Sequence, residues 1–275
     1  MPADQTRPAG RAFQAPRGTR DLLPAERPGW ARLERLAAEL AGRYGYRELV
    51  TPLFEQSAVF ERGVGETTDI VEKELFRIAP RTEDAEAWAL RPEATAGVVR
   101  AYVQHGMQTW PQPVRLSLVG PMFRYDRPQA GRYRQFFQWN VEAIGDPGPG
   151  IDAELVELGL RFFRAAGLGD VEVLVNSIGD PACRREYVAE LTAHYRRHEA
   201  TLPDLERSRL ERNPLRLLDS KDPAMTAVNA GAPRLTERLC APCDAHFAGV
   251  RAHLDALGVP YRIEPGLVRG LDYYT

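Results

Sequence analysis

Apolar residues at Trp30, Leu33, Ala37, Leu40, Ala41 and Tyr44 recur at helical spacing and stop at Gly45, so the pattern predicts an amphipathic helix ending there. Residues 48–52 then read as a short strand. Residues 75–78 and 88–90 read as the two strands of a hairpin around a polar loop, and residues 92–106 as a helix with Pro92 in its first turn. Two longer strand patterns, 114–119 and 134–144, flank a short connection. A parallel crossover needs about a dozen residues, so these two strands must be antiparallel. Asp152 is placed to cap a helix running to Gly167, followed by a strand at 171–176. From Pro181 the pattern becomes helical, as at Tyr187, Leu191 and Tyr195, with charged faces and few strand-like runs. Residues 181–257 are therefore expected to be a helical insertion, after which 261–264 and 267–274 return to strand.

This order predicts an α+β fold with a mainly antiparallel core sheet flanked by helices. Residues 1–16, rich in Pro, Ala and Arg without periodicity, are expected to form a flexible arm, and residues 17–275 one domain carrying the insertion. The 36 Lys and Arg against 38 Asp and Glu give a net charge of −2, which offers no bulk basic field for nucleic acid. With 44% hydrophobic and 27% charged residues, the chain has the makings of a sizeable core. No apolar run approaches the roughly 20 residues of a membrane span, and residues 1–20 lack the apolar centre of a secretory signal, so a cytoplasmic protein is expected. The 3 cysteines suit a reducing compartment and free thiols. Cys240-Ala241-Pro242-Cys243 followed by His246 resembles half of a zinc site, but with no second pair at suitable spacing no metal site is expected. His105, His194, His198 and His253 are assigned to surfaces or packing, and Trp110 to the core or a junction.

The most informative chemistry lies between the two long strands. Arg124, Arg127, Arg132 and Arg134 surround a Pro/Gly turn, and guanidinium forks so close together call for a polyanion or paired carboxylates. A nucleotide is the simplest such anion. In the following strand, alternation puts Gln138, Asn140 and Glu142 on one face and Phe137, Trp139 and Val141 on the other. Alone this is a half-solvated sheet; beside the arginines it becomes the floor of a site for a small polar molecule. In Leu90-Arg91-Pro92-Glu93-Ala94-Thr95, Glu93 is expected in a first helical turn, where the macrodipole favours an acid, and Arg91 could simply pair with it. Residues 63–69 form a Gly-bearing loop that could cover a ligand, a weak signal. Arg269 and Tyr274 would lie on opposite faces of a regular strand, unless Gly270 breaks the pleat.

Taken in order, Pro16-Arg17-Gly18-Thr19-Arg20-Asp21, the stretch from Leu90 to Thr95, the arginine hairpin leading to Gln138 and Glu142, and the run from Leu267 to Tyr274 resemble the histidyl-tRNA synthetases, as does Asn213 to Lys221. The resemblance covers nearly the whole chain from about residue 16. It implies a class II aminoacyl-tRNA synthetase sheet, a homodimer, ATP and Mg2+ as reactants, and a chain that joins L-histidine to tRNA(His) through histidyl adenylate. By motif, Glu93, Thr95 and Gln138 would hold the substrate ammonium, and Glu142 and Tyr274, with Tyr273 beside it, the imidazole. Arg124 would grip the ATP α-phosphate, Arg132 would assist on the nucleotide, and Arg269 would stabilise charge as the histidine carboxylate attacks. The family's third signature and its anticodon-binding domain should follow Tyr274; neither falls within the 275 residues, so the domain is expected to be incomplete at its C-terminus. The rival implied reading is a catalytically silent paralogue, the regulatory subunit of ATP phosphoribosyltransferase in histidine biosynthesis. Against it stand the intact arginine hairpin and the run at 267–274. A bare histidine-sensing module is the third.

Overall fold

The computed structural model describes residues 13–64, 70–80, 82, 86–129 and 131–268. The first twelve residues of the expected arm, residues 65–69 of the glycine-bearing loop, and Arg269, Tyr273 and Tyr274 lie outside these. Helix α1 (Arg27–Arg43) follows the apolar stripe, burying Ala37, Leu40 and Ala41. The chain leaves it through Gly45 at φ 77°, a left-handed conformation that only a residue without Cβ adopts freely. Next come β1 (Arg47–Glu48), β2 (Phe54–Gln56), α2 (Ser57–Val64), β3 (Arg77–Ile78), β4 (Trp88–Leu90) and α3 (Thr95–Gln104). The long strands β5 (Val114–Phe123) and β6 (Gln135–Ile144) precede α4 (Pro149–Ala166) and β7 (Leu174–Val175). The remainder is α5 (Pro181–Arg197), α6 (Asp204–Arg212), α7 (Met225–Ala230), α8 (Ala241–Ala256) and β8 (Arg262–Ile263).

Strands β5 and β6 pair antiparallel along their whole length, from Val114 opposite Ile144 to Phe123 opposite Gln135. Strand β4 lies antiparallel between β2 and β3, as the hairpin reading expects. Two pairings depart from the antiparallel expectation: β1 runs parallel to β5, and β7 parallel to β8. Each spans a helix-bearing connection, which is what a parallel crossover requires. The β5–β6 sheet is covered on both faces. Trp139, Val141 and Ala143 pack against Leu40, Ala41, Tyr46 and Leu158. On the opposite face, Leu116 packs with Val98 and Ala101 of α3, and Leu118 with Ala94 and Met122.

The C-terminal half divides between two cores. Tyr187, Leu191, Tyr195, Leu202, Leu210, Leu217, Met225 and Leu235 form one, spread over α5 to α7 and their connections. Helix α8 joins the other: Phe247, Val250 and Leu254 pack against Ala153 and Leu160 of α4 and Val175 of β7. The stretch read as one helical insertion thus ends on a helix that shares the packing of α4.

Several local expectations shift. Helix α3 begins at Thr95 rather than near Pro92, because Glu93 turns back to accept the first free amides. Helix α4 begins after Gly148, with Pro149 needing no amide partner at the first position, so Asp152 falls in its first turn instead of capping it. The strand read at 48–52 is confined to Arg47–Glu48. Of the two readings offered for Trp110, the junction holds: it follows the turn Met107–Thr109 and is 42% exposed. Leu267 and Val268 are not in a strand.

Candidate active site

The site starts where β4 hands the chain to α3. Arg91 is buried at 4% exposure, and its donors run to backbone and hydroxyl oxygens: Nε to the Pro121 carbonyl at 2.9 Å, Nη1 to the Thr51 carbonyl at 3.1 Å and to Thr51 Oγ1 at 3.0 Å. It does not pair with Glu93. Desolvation lowers its pKa from the usual guanidinium value. Gly120 leaves the room this requires, since a Cβ there would collide with Arg91 Nη2. The buried fork therefore ties the end of β4 to β5 and to the segment before β2.

Two residues on, Glu93 accepts hydrogen bonds from the backbone amides of Thr95 at 2.7 Å and Ala96 at 2.8 Å, satisfying two of the orphan donors at the start of α3. Thr95 then reaches across to the sheet, where its Oγ1 donates to Glu142 Oε1 at 2.6 Å. Asn140 Nδ2 donates to the same oxygen at 2.8 Å. Burial pushes the Glu142 carboxyl above its ordinary range; the bonds from Thr95 and Asn140 pull it back in part, and the charge of Glu93 adds to the rise. On the same face of β6, Gln138 Oε1 is buried without a hydrogen-bond partner. Acceptors converge here, and such a surface suits a ligand bearing an ammonium or N–H groups.

The arginine hairpin borders this floor. Arg124 donates Nε to the Pro92 carbonyl at 2.9 Å, and its guanidinium lies 5.2 Å from the centre of the Phe136 ring. These contacts hold it beside the Glu93 junction. Arg132 sits at the tip, 65% exposed and 3.1 Å from Asp126 Oδ2. Arg134 lies 4.0 Å over the Tyr125 ring, and its backbone amide donates to the Gly18 carbonyl at 2.6 Å. The Arg17–Gly18 stretch is therefore strapped onto the hairpin, and the approach is close: a Cβ on Gly18 would meet Arg134 Cγ and Pro128 Cγ at 2.9 Å. Asp126 and an aromatic ring absorb part of the charge that the sequence suggested an anion must balance.

The structure thus brings together Glu93, Thr95, Glu142 and Arg124, with Gln138 on the same strand face and Arg132 further out. Arg91 carries a role the sequence did not assign, and Asn140, read as part of the polar floor, is found to donate to its neighbour on that face, Glu142. The assignment of the histidines to surfaces or packing agrees with their surroundings: His194 is buried with Nε2 2.9 Å from the Val228 carbonyl, and His105, His198 and His253 are exposed.

A sequence model of the family described as histidyl-tRNA synthetase matches residues 18–275. The histidine–tRNA ligase of Thermosynechococcus vestitus is 50% identical over 263 residues, covering 96% of this chain and 61% of that protein. That of Lysinibacillus sphaericus is 47% identical over 265 residues, covering 96% and 62%. The chain therefore spans 61 to 62% of the length of these curated relatives. Among solved structures, apo histidyl-tRNA synthetase from S. aureus superposes with a TM-score of 0.72 at 37% identity, over 96% of this chain and 60% of that one. A protein of Bacillus halodurans C, described as an ATP phosphoribosyltransferase regulatory subunit/histidyl-tRNA synthetase, shares the fold, with a TM-score of 0.67 at 22% identity over 97% of this chain and 71% of its own. The architecture is the α+β fold of class II aminoacyl-tRNA synthetases. With a family match from residue 18 onward and relatives about half identical along it, the chain belongs to the histidyl-tRNA synthetase family.

Proposed function

We propose that this chain is the catalytic portion of a histidine–tRNA ligase, activating histidine with ATP to histidyl adenylate and passing the histidyl group to the terminal ribose of tRNA(His). The observation that carries the reading is the unpartnered, buried Gln138 Oε1 beside the Thr95–Glu142–Asn140 network. An orphaned buried acceptor costs stability unless something donates to it, and the ammonium of an amino acid is such a donor. Glu93, Thr95 and Gln138 take that ammonium; Glu142, with Tyr273 and Tyr274, takes the imidazole. An N–H donor or cation against Glu142 would draw its raised pKa back down, so ligand and carboxylate stabilise each other.

In the reaction, a histidine carboxylate oxygen bonds to the ATP α-phosphorus and the bond to pyrophosphate breaks. The protein's part is positioning and neutralising developing charge. Arg124, fixed by the Pro92 carbonyl and the Phe136 ring, is preorganised for the α-phosphate. Arg132 assists on the nucleotide and Arg269 acts on the attacking carboxylate. ATP enters as its magnesium complex, a substrate for which no protein metal ligand is assigned. The same reading takes residues 17–275 as one catalytic domain with 181–257 inserted, working as a homodimer in the cytoplasm. Among the described residues no helix is long and apolar enough to cross a membrane.

Histidine-dependent exchange of pyrophosphate into ATP tests this. Arg269→Ala is expected to leave histidine affinity within about tenfold while abolishing exchange, because its contact forms mainly in the transition state. An unchanged exchange rate would remove Arg269 from the mechanism. No exchange by the parent, together with activation of an ATP phosphoribosyltransferase, would favour the regulatory reading.

A further inference from the structure

The first turns of α5 and α8 face each other in a matched way. Asp180 is the N-cap residue of α5 and Cys183 its third helical residue; Cys240 and Cys243 hold the same two positions on α8. The amide of Cys240 donates to Cys183 Sγ at 3.1 Å, and the amide of Asp180 to Cys243 Sγ at 3.4 Å. Each N-cap amide thus serves the sulfur of the other helix. Asp180 divides its carboxylate: Oδ1 accepts from the Cys183 amide at 2.8 Å, while Oδ2 lies 3.7 Å from Cys240 Sγ. One ligand atom from each of the four residues falls within 4.8 Å of the others.

We propose that Asp180, Cys183, Cys240 and Cys243 form a tetrahedral site for a divalent metal ion of the zinc type, bound by three thiolates and one carboxylate oxygen. Arms of about 2.3 Å place the corners of such a tetrahedron about 3.8 Å apart, which the 3.7 Å between Cys240 Sγ and Asp180 Oδ2 matches and the 4.8 Å limit on the other pairs allows. Amides aimed at sulfur, and the positive ends of two helices, stabilise thiolates as metal sites do. Once ionised, four anionic groups in this space repel one another unless a cation sits among them. Three soft sulfurs favour zinc over magnesium or calcium. Gly179, at φ 63°, permits the approach, since a Cβ there would stand 2.7 Å from Cys183 Cβ. Cys183 is buried while Asp180, Cys240 and Cys243 are half-buried, which leaves an entry path. The ion would clip together residues 57 apart, closing the neck of the segment that holds the α5–α7 core. The sequence shows only one Cys-x-x-Cys, because the other half reads Asp-Pro-Ala-Cys.

The test is metal content and metal exchange on the full-length protein, purified under reducing conditions without chelator. About one zinc per chain is expected, as is a thiolate-to-cobalt charge-transfer band when Co2+ replaces it. Cys243→Ser should weaken zinc binding at least tenfold, by analogy with the loss seen on removing supporting groups. Asp180→Cys, which supplies a fourth thiolate, should keep full stoichiometry and intensify the cobalt band; circular dichroism confirms that both variants are folded. Substoichiometric uptake by the reduced protein, a cobalt spectrum without thiolate absorption, or affinity untouched by Cys243→Ser would overturn the site. So would a disulfide among these cysteines in metal-free protein as purified.

Discussion

Glu142 lies between opposing influences. Thr95 and Asn140 donate to its charged form, burial and Glu93 oppose it, and burial prevails. Between the ordinary value of 4.5 and the raised value in the folded protein, the folded chain retains a proton that the unfolded chain has released. Stability therefore falls as pH rises through that window. Glu142→Gln has no such titration. The variant is expected to be at least as stable as the parent near pH 7, with its relative advantage shrinking as pH falls through the raised value towards 4.5 and levelling off below it; thermal melts across this range compare the two. A variant that is clearly less stable at neutral pH would contradict the cause assigned to the shift. Under the proposed function, the same change removes a hydrogen bond to a charged acceptor and should raise the KM for histidine roughly 10- to 100-fold.

At the start of α3, a single carboxylate closes the helix and borders the proposed ammonium site. Glu93→Ala should cost about 1 kcal/mol of stability, the usual penalty for a lost cap, read as a lower urea midpoint with unchanged slope. It should also impair histidine binding, and a stability loss without a binding loss would confine Glu93 to capping. The elements legible in the sequence were those with strong local periodicity: α1 through its apolar stripe, β5 and β6 through alternation and a connection too short for anything but a hairpin. What escaped depended on distant partners. Strands were read near Arg47–Glu48, Leu174–Val175 and Arg262–Ile263, but their parallel pairing, Arg47 opposite Leu116 and Leu174 opposite Arg262, is set by partners far along the chain. Arg91 read as an ion-pair partner for Glu93 because nothing near it in sequence announces Thr51 or Pro121. The polar floor was readable because Gln138, Asn140 and Glu142 share one strand, whereas its lock onto Thr95 crosses 47 residues.

For the molecule as a whole, the chain spans 61% of the length of the Thermosynechococcus relative. Under the proposed function, fusing the C-terminal remainder of that relative after Thr275 is expected to raise kcat/KM for ATP at least about a hundredfold in the exchange assay, the usual effect of one more preorganised charge donor. Equal rates would mean that residues 1–275 already hold every ATP contact that matters. The division of the C-terminal half into two cores also bears on how relatives in this family can trade parts. A chimera that replaces residues 184–239 would carry the α5–α7 core across almost whole and leave the sheet side untouched. One cut at 181 and 257 would exchange α8 as well, setting a foreign helix against Ala153 and Leu160 of α4 in place of Phe247, Val250 and Leu254. The natural seam for recombination therefore runs just inside the paired helix starts, not at the outer limits of the helical stretch.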